Sequence, residues 1–146
     1  MKNEKEGFEV IAPKNWEVYS TEDTEYIDIQ NFKKPLEGGY SGIGGEGCVA
    51  TINVDENFSF SSVKEWADQE CFKDLDCEKA TVEIVKIDNT EWNKVAFWGS
   101  FLGTGEYTFY LLKDKKLYGI DWKCSDEIEE QRNEENLKAL ISTMKF

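Results

Sequence analysis

Polar and apolar residues alternate in short runs of this chain, with the two-residue period that is typical of half-buried β-strands. Residues 48–54 show the pattern most clearly, because their even positions are apolar or cysteine while Thr51 and Asn53 fall on the other face. Similar runs are bounded by turn residues. The pattern predicts strands at residues 8–11, 16–19, 26–32, 48–54, 81–87, 92–101, 106–113 and 117–123.

Two segments instead repeat their apolar residues at helical spacing. The first follows Ser62 and Glu65, whose separation is that of a capping box, and we expect it to run for about ten residues. Its predicted apolar stripe consists of Val63, Trp66, Ala67 and Cys71. The second helix begins after Ser125, and its predicted stripe consists of Leu137, Leu140, Ile141 and Met144.

The strands between residues 81 and 123 are joined by short polar or glycine-containing breaks, which favour hairpins and hence an antiparallel meander. A face of the meander is the natural surface to cover the second helix. The predicted fold class is therefore α+β, an antiparallel sheet with helices packed on its faces. We expect one domain at residues 8–146. Residues 1–7 are interpreted as a polar tether, or as a start left when a signal peptide or lipid-anchored leader is removed.

Four cysteines allow three complete disulfide pairings, and reduced buried cysteines are an alternative. Cys71 and Cys77 are close enough to close a short acidic loop, while Cys48 and Cys124 border predicted strands. We prefer these two pairs. A metal site at Cys71 and Cys77 is disfavoured because their spacing matches no common zinc motif. We expect no metal and no cofactor.

The charge balance excludes several classes of partner. Thirty Asp and Glu residues against seventeen Lys and Arg give a formal net charge of −13, and this field repels phosphate backbones. We therefore expect no nucleic-acid partner. Arg132 is the only arginine, so most of the forked donors that anion recognition prefers are missing. No apolar run approaches the roughly 20 residues of a membrane-spanning helix, although a lipid anchor ahead of residue 1 is compatible with the polar start.

Histidine is absent from the sequence, which excludes Ser-His-Asp triads, Cys-His pairs and imidazole acid–base catalysis. A carboxylate pair that works as in a glycosidase needs no histidine and stays open. Because the chain holds thirty carboxylates, composition singles out no particular pair. We therefore assign no catalytic residue and do not expect an enzyme.

A glycine-rich tract at residues 38–47 is the first candidate for a binding site. It superficially resembles a phosphate-binding loop, but a strand follows it and the Lys-Ser or Lys-Thr ending of a P-loop is missing. We interpret it as a mobile loop that borders a ligand or partner surface. Tyr40, Ile43 and Glu46 would supply most of its contacts. Trp98 is a further candidate, because alternation cannot bury every large ring of the meander.

The two ends of the predicted domain resemble a known family. Residues 8–16 read FEVIAPKNW, and this order of strand, Pro, turn and Trp is similar to the opening of PsbP-like and Mog1-like domains. Residues 137–146, LKALISTMKF, resemble their closing segment. The resemblance implies an αβα sandwich around an antiparallel sheet. Its members include photosystem accessory subunits, partners of a nuclear transport GTPase and bacterial envelope lipoproteins, and no functional residue is carried over from them.

The leading functional expectation is a non-enzymatic binding or accessory domain of the bacterial cell envelope, with an unidentified protein or small molecule as its ligand. The four cysteines and the long glycine-rich loop favour the envelope branch of the resembling family over its cytosolic members. Two alternatives stay open. One is a carboxylate-dependent enzyme with its site under the glycine-rich loop, which raised carboxylate pKa values in one cleft would favour. The other is a protein-interaction domain inside the cell.

Overall fold

The computed structural model describes residues 2–3, 7–19, 26–31, 47–99 and 107–146, and within them the chain is α+β. The strands are β1 (Lys2–Asn3), β2 (Phe8–Glu9), β3 (Glu17–Tyr19), β4 (Tyr26–Gln30), β5 (Cys48–Asp55), β6 (Lys79–Ile87), β7 (Thr90–Trp98), β8 (Tyr107–Lys113) and β9 (Lys116–Cys124). The helices are α1 (Val63–Lys73) and α2 (Glu127–Ser142). The predicted fold class is confirmed at this level.

Seven of the strands form one antiparallel sheet in the hydrogen-bonded order β3-β4-β5-β9-β8-β7-β6, while β1 and β2 pair separately. The expected meander is present as β6 to β9. Two-residue turns close two of its hairpins, and their residues Asp88, Asn89, Asp114 and Lys115 have positive φ. Three of these four residues are asparagine or aspartate, which tolerate the conformation that tight hairpin turns require.

Both predicted N-terminal strands are present in shortened form. Residues 8–11 contribute β2 and residues 16–19 contribute β3, and β2 pairs with β1 while β3 pairs with β4. The C-terminal segment also contacts this part of the chain. Glu9 and Lys145 exchange two backbone hydrogen bonds of 2.9 Å, and the backbone N–H of Ile11 donates to the Thr143 hydroxyl at 3.0 Å. The backbone of this segment is therefore satisfied by the chain's other end.

The chain divides into two compact units, Met1–Thr51 with Trp122–Phe146, and Ile52–Asp121. In the first unit, the predicted α2 stripe is confirmed, because Leu137, Leu140 and Ile141 are buried and Met144 is buried just beyond the helix. In the second unit, α1 packs on β6 and β7. Its core contains Phe58, Val63, Ala67, Val95 and Leu117, and Trp66 packs half-buried against them.

Candidate functional site

Both predicted cysteine pairs lie at disulfide distance. The Cys48 and Cys124 sulfur atoms are 2.04 Å apart in the first unit, and those of Cys71 and Cys77 are 1.94 Å apart in the second. Cys71 is buried in the last turn of α1, and Cys77 lies two residues before the start of β6. The bond therefore closes residues 71–77 into a small ring, which we call the disulfide loop.

The disulfide loop begins in the last turn of α1, and the other end of this helix is capped by hydrogen bonds. The Ser62 hydroxyl accepts from the backbone N–H of Glu65 at 3.1 Å, as a helix N-cap does. The Glu65 carboxylate in turn accepts from the backbone N–H and the hydroxyl of Ser61. These hydrogen bonds hold the pKa of Glu65 below its usual value. The predicted capping pair is therefore formed, with Ser61 rather than Ser62 as the donor to the carboxylate.

Hydrogen bonds within the disulfide loop restrict it further. The backbone N–H of Asp74 donates to the Cys71 carbonyl at 3.1 Å, and that of Cys77 donates to the Asp74 carbonyl at 3.0 Å. The Asp74 carboxylate accepts from the backbone N–H of Asp76 at 3.0 Å. Side-chain bonding of this kind is a local turn motif. The loop is thus held by its own backbone, by Asp74 and by the disulfide.

Two large apolar side chains of the disulfide loop point into solvent. Phe72 is 91% exposed and Leu75 is 101% exposed, relative to a fully accessible side chain. The buried side of α1 is formed by Val63, Ala67 and Cys71. Successive residues of a helix are rotated by about 100° around its axis. Phe72 therefore does not share the buried side of Cys71 and lies on the outer surface. The loop therefore presents a phenyl ring and an isobutyl group on a restrained backbone.

Trp98 is the described member of the sequence-predicted site. It is 44% exposed at the end of β7, and its indole N–H donates to the Thr81 hydroxyl at 3.0 Å. The backbone N–H of Glu78 donates to the Trp98 carbonyl at 2.8 Å. The next residue, Gly99, has a φ of 78°, and a Cβ there would lie 2.8 Å from the Asp76 carbonyl oxygen. The end of β7 is therefore packed closely against the end of the disulfide loop.

The other predicted binding residues, Tyr40, Ile43 and Glu46, lie outside the described residues. The same is true of most of the glycine-rich tract at residues 38–47. Their role in binding, like that of Trp98, stays a prediction.

A polar cluster on the sheet in the second unit offers hydrogen-bonding groups. The Thr108 hydroxyl donates to the Asp121 carboxylate, and Tyr110 stacks edge-on against Trp66 with 4.9 Å between ring centroids. Burial, reinforced by the charge of Asp121, raises the pKa of Tyr110 well above its ordinary value. Tyr110 therefore stays protonated at neutral pH. A phenol held in this form can donate a hydrogen bond but cannot act as a general base.

Among the described residues of the first unit, the carboxyl group of Asp28 is buried and has an altered pKa. Asp28 is buried, and desolvation raises its pKa above the usual value, although a hydrogen bond of 2.6 Å from the Thr51 hydroxyl opposes the shift. The hydrogen-bond partner of Asp28 is thus the hydroxyl group of Thr51. Glycosidase chemistry, by contrast, needs a second carboxyl group at a defined separation from the first.

Neither a metal centre nor a transmembrane helix is found in the part of the chain that the structure describes. No group of three or more cysteine, aspartate or glutamate side chains is placed to hold a metal ion there. No helix in that part has the length and apolar character needed to cross a membrane.

The comparisons with known proteins identify no relative. No protein-family model matches the chain, and no curated protein and no solved structure matches it significantly.

Sequence reasoning missed Phe72 and Leu75, although the signal was present. Phe72 lies directly after the last residue of the predicted α1 stripe, so it belongs to a different helical face. Leu75 lies between two aspartates, inside a loop that the cysteine spacing had already marked. Apolar residues on such positions have no internal surface to cover them.

Proposed function

We propose that this chain is a non-enzymatic binding or accessory domain, and that it contacts a protein partner through Phe72 and Leu75 of the disulfide loop. The observation that supports the proposal is the almost complete exposure of both side chains on a covalently closed loop. Apolar residues scattered singly over a surface are ordinary. These two differ because they share one restrained ring.

The free energy available from burying Phe72 and Leu75 supports a binding role for the disulfide loop. Burying a Phe or Leu side chain contributes about 1.5–3 kcal/mol, so covering both contributes roughly 3–6 kcal/mol before costs. The main cost at flexible sites is the ordering of loops and side chains on binding. The disulfide and the Asp74 hydrogen bonds order the loop backbone in advance. A small apolar contact on such a loop can therefore act as the anchor of a larger interface.

The proposal places the domain outside the cytoplasm, in the bacterial cell envelope. Both cysteine pairs lie at disulfide distance, and disulfides persist in oxidising compartments while cytosolic thiols are kept reduced. The reduction of cytosolic thiols also disfavours an interaction domain inside the cell. An αβα sandwich of the PsbP-like and Mog1-like type is part of the proposal, with the antiparallel sheet and two helices as its support.

The carboxylate-dependent enzyme is the second candidate, and the raised pKa of Asp28 is the observation that favours it. A raised pKa favours the protonated form of a carboxyl group, which is the form that general acid catalysis requires. Its test is a screen of chromogenic glycosides at mildly acidic pH. Hydrolysis that is lost in Asp28→Asn would replace the binding proposal.

A peptide-display selection against the oxidised domain tests the binding proposal. Selected peptides are then compared on two double variants, Phe72→Ser with Leu75→Ser, and the control Ile84→Ser with Ile128→Ser. The control residues are suitable because they are 60% and 61% exposed and lie outside the disulfide loop. We expect selected peptides to lose binding to the loop variant and to keep it with the control. Peptides that bind both variants equally would place the binding surface elsewhere.

A further inference from the structure

The charges around the disulfide loop indicate what its partner must look like. We propose that the partner is a protein surface that surrounds an apolar recess with lysine or arginine side chains. This inference rests on the proposed binding function and adds the chemistry of the partner to it. Phe72 and Leu75 would enter the recess, and the carboxylates beside them would face the cations.

The disulfide loop lies in a locally acidic stretch. Residues 68–79 contain five carboxylates and two lysines, which gives this stretch a formal charge of −3. Asp76 and Glu78 are exposed on either side of Cys77. Lys73 is the only cation inside the loop, and its ammonium group lies 3.3 Å from a Glu70 carboxylate oxygen. The apolar pair is therefore flanked by net negative charge.

The negative charge of residues 68–79 favours some classes of partner over others. At physiological salt, charges act over about 8 Å, so the loop carboxylates influence whatever covers Phe72 and Leu75. An anionic membrane surface would be repelled at this distance, which makes a lipid bilayer a poor partner. A second copy of the chain carries the same charge of −13 and is also disfavoured. A basic protein surface gains attraction and a higher association rate from the same charges.

Titration of the isotope-labelled, oxidised domain with three synthetic helical peptides tests the inference by NMR. The peptides share one length and pattern and consist of Leu and Lys, Leu and Glu, or Ser and Lys. We expect the Leu–Lys peptide alone to shift the amide signals of residues 71–79. Raising the salt from about 0.01 M to about 0.15 M should weaken its binding several-fold, because the Debye length shortens from about 30 Å to about 8 Å.

Matched variants separate specific docking from general attraction to an acidic protein. Asp76→Asn with Glu78→Gln should weaken the Leu–Lys peptide several-fold. Glu91→Gln with Glu127→Gln removes the same total charge from exposed positions outside residues 68–79, and should leave binding unchanged. Phe72→Ser with Leu75→Ser should reduce binding roughly tenfold or more, as expected when two buried apolar anchors are removed.

Five outcomes would overturn the inference. Equal binding of the Leu–Glu peptide would show that the loop does not select cations, and the binding function itself would survive. Equal binding of the Ser–Lys peptide, or equal loss in both charge variants, would mean non-specific attraction. Loop shifts caused by phosphatidylcholine vesicles in place of the peptides would identify a membrane surface. A loop that responds to none of the probes would also reject the basic partner, and the display selection then decides separately whether the loop binds at all.

Discussion

The side-chain amide of Asn31, just after β4, donates a hydrogen bond of 3.0 Å to the side-chain oxygen of Asn133 on α2. The Asn31 oxygen accepts from the backbone N–H of Cys48 at 2.7 Å, and the Asn133 amide donates to the Glu129 carbonyl at 2.8 Å. Asn133 is buried. These bonds join α2 to the neighbouring ends of β4 and β5, beside the Cys48–Cys124 disulfide.

We expect Asn133→Ala to lower the free energy of unfolding by about 1–3 kcal/mol, because the Asn31 amide loses its acceptor in a partly buried setting. Urea denaturation of the oxidised protein measures the change. Gln131→Ala, at an exposed position on the same helix, is the control and should fall within about 0.5 kcal/mol of the wild type. An unchanged midpoint for Asn133→Ala would mean that water replaces the lost bond.

Leu140→Ala should lower the free energy of unfolding by about 2–5 kcal/mol, because the Leu140 side chain is almost fully buried and its truncation leaves a cavity. Ile128→Ala is the matched control on α2, since Ile128 is mostly exposed. Denaturant titration of both variants gives the comparison. Equal effects would show that the Leu140 side of α2 is not packed in solution.

The two disulfides should differ in their contributions to stability. In the chain-entropy account, closing 76 residues between Cys48 and Cys124 contributes about 4–5 kcal/mol, whereas closing 6 residues between Cys71 and Cys77 contributes about 2 kcal/mol. Denaturation of the two Cys→Ala double variants measures both values. A Cys71–Cys77 variant at least as destabilised as the other would contradict this ranking. Thiol titration of denatured, unreduced wild type should first find the thiols protected.

The raised pKa of Asp28 should be visible in the pH dependence of the free energy of unfolding. Burial raises the pKa of Asp28 in the folded state, so the folded protein binds this proton more tightly than the unfolded chain does. The resulting contribution to stability is fully present below the unfolded-state pKa of about 3.9. That effect is lost as the pH rises through the folded-state pKa. Asp28→Asn has no charge to desolvate and keeps an acceptor for Thr51. The variant should therefore gain stability relative to wild type as the pH rises from about 4 to 7. Parallel stability curves would contradict the raised pKa.

Sequence patterns predicted the fold where local and long-range preferences agree. The strand at residues 48–54 and the α1 stripe of Val63, Ala67 and Cys71 were predicted because the side that periodicity marks as apolar is also the side that the core buries. The pairing of β2 was not predicted. It depends on Glu9 and Lys145, which are far apart in sequence, and no local pattern encodes such a contact.

The candidate site was only partly predictable. Cysteine spacing predicted the Cys71–Cys77 loop, and the limits of alternation predicted that Trp98 would stay partly exposed. Judged by residue type alone, Phe72 and Leu75 would be expected in the core. Their exposure depends on the direction in which α1 ends, and that direction is set by how α1 packs on β6 and β7. Asn31 and Asn133 likewise meet only in the folded chain.

Site-specific photo-crosslinking in the cells that make this protein tests the central claim most directly. A photoreactive residue is placed at Leu75 or, as the control, at Ile128, and the products are identified by mass spectrometry. We predict one discrete protein adduct from position 75 that is absent from position 128 and is reduced when Phe72→Ser is added. No adduct at position 75, or the same adducts from both positions, would contradict a partner contact through the disulfide loop.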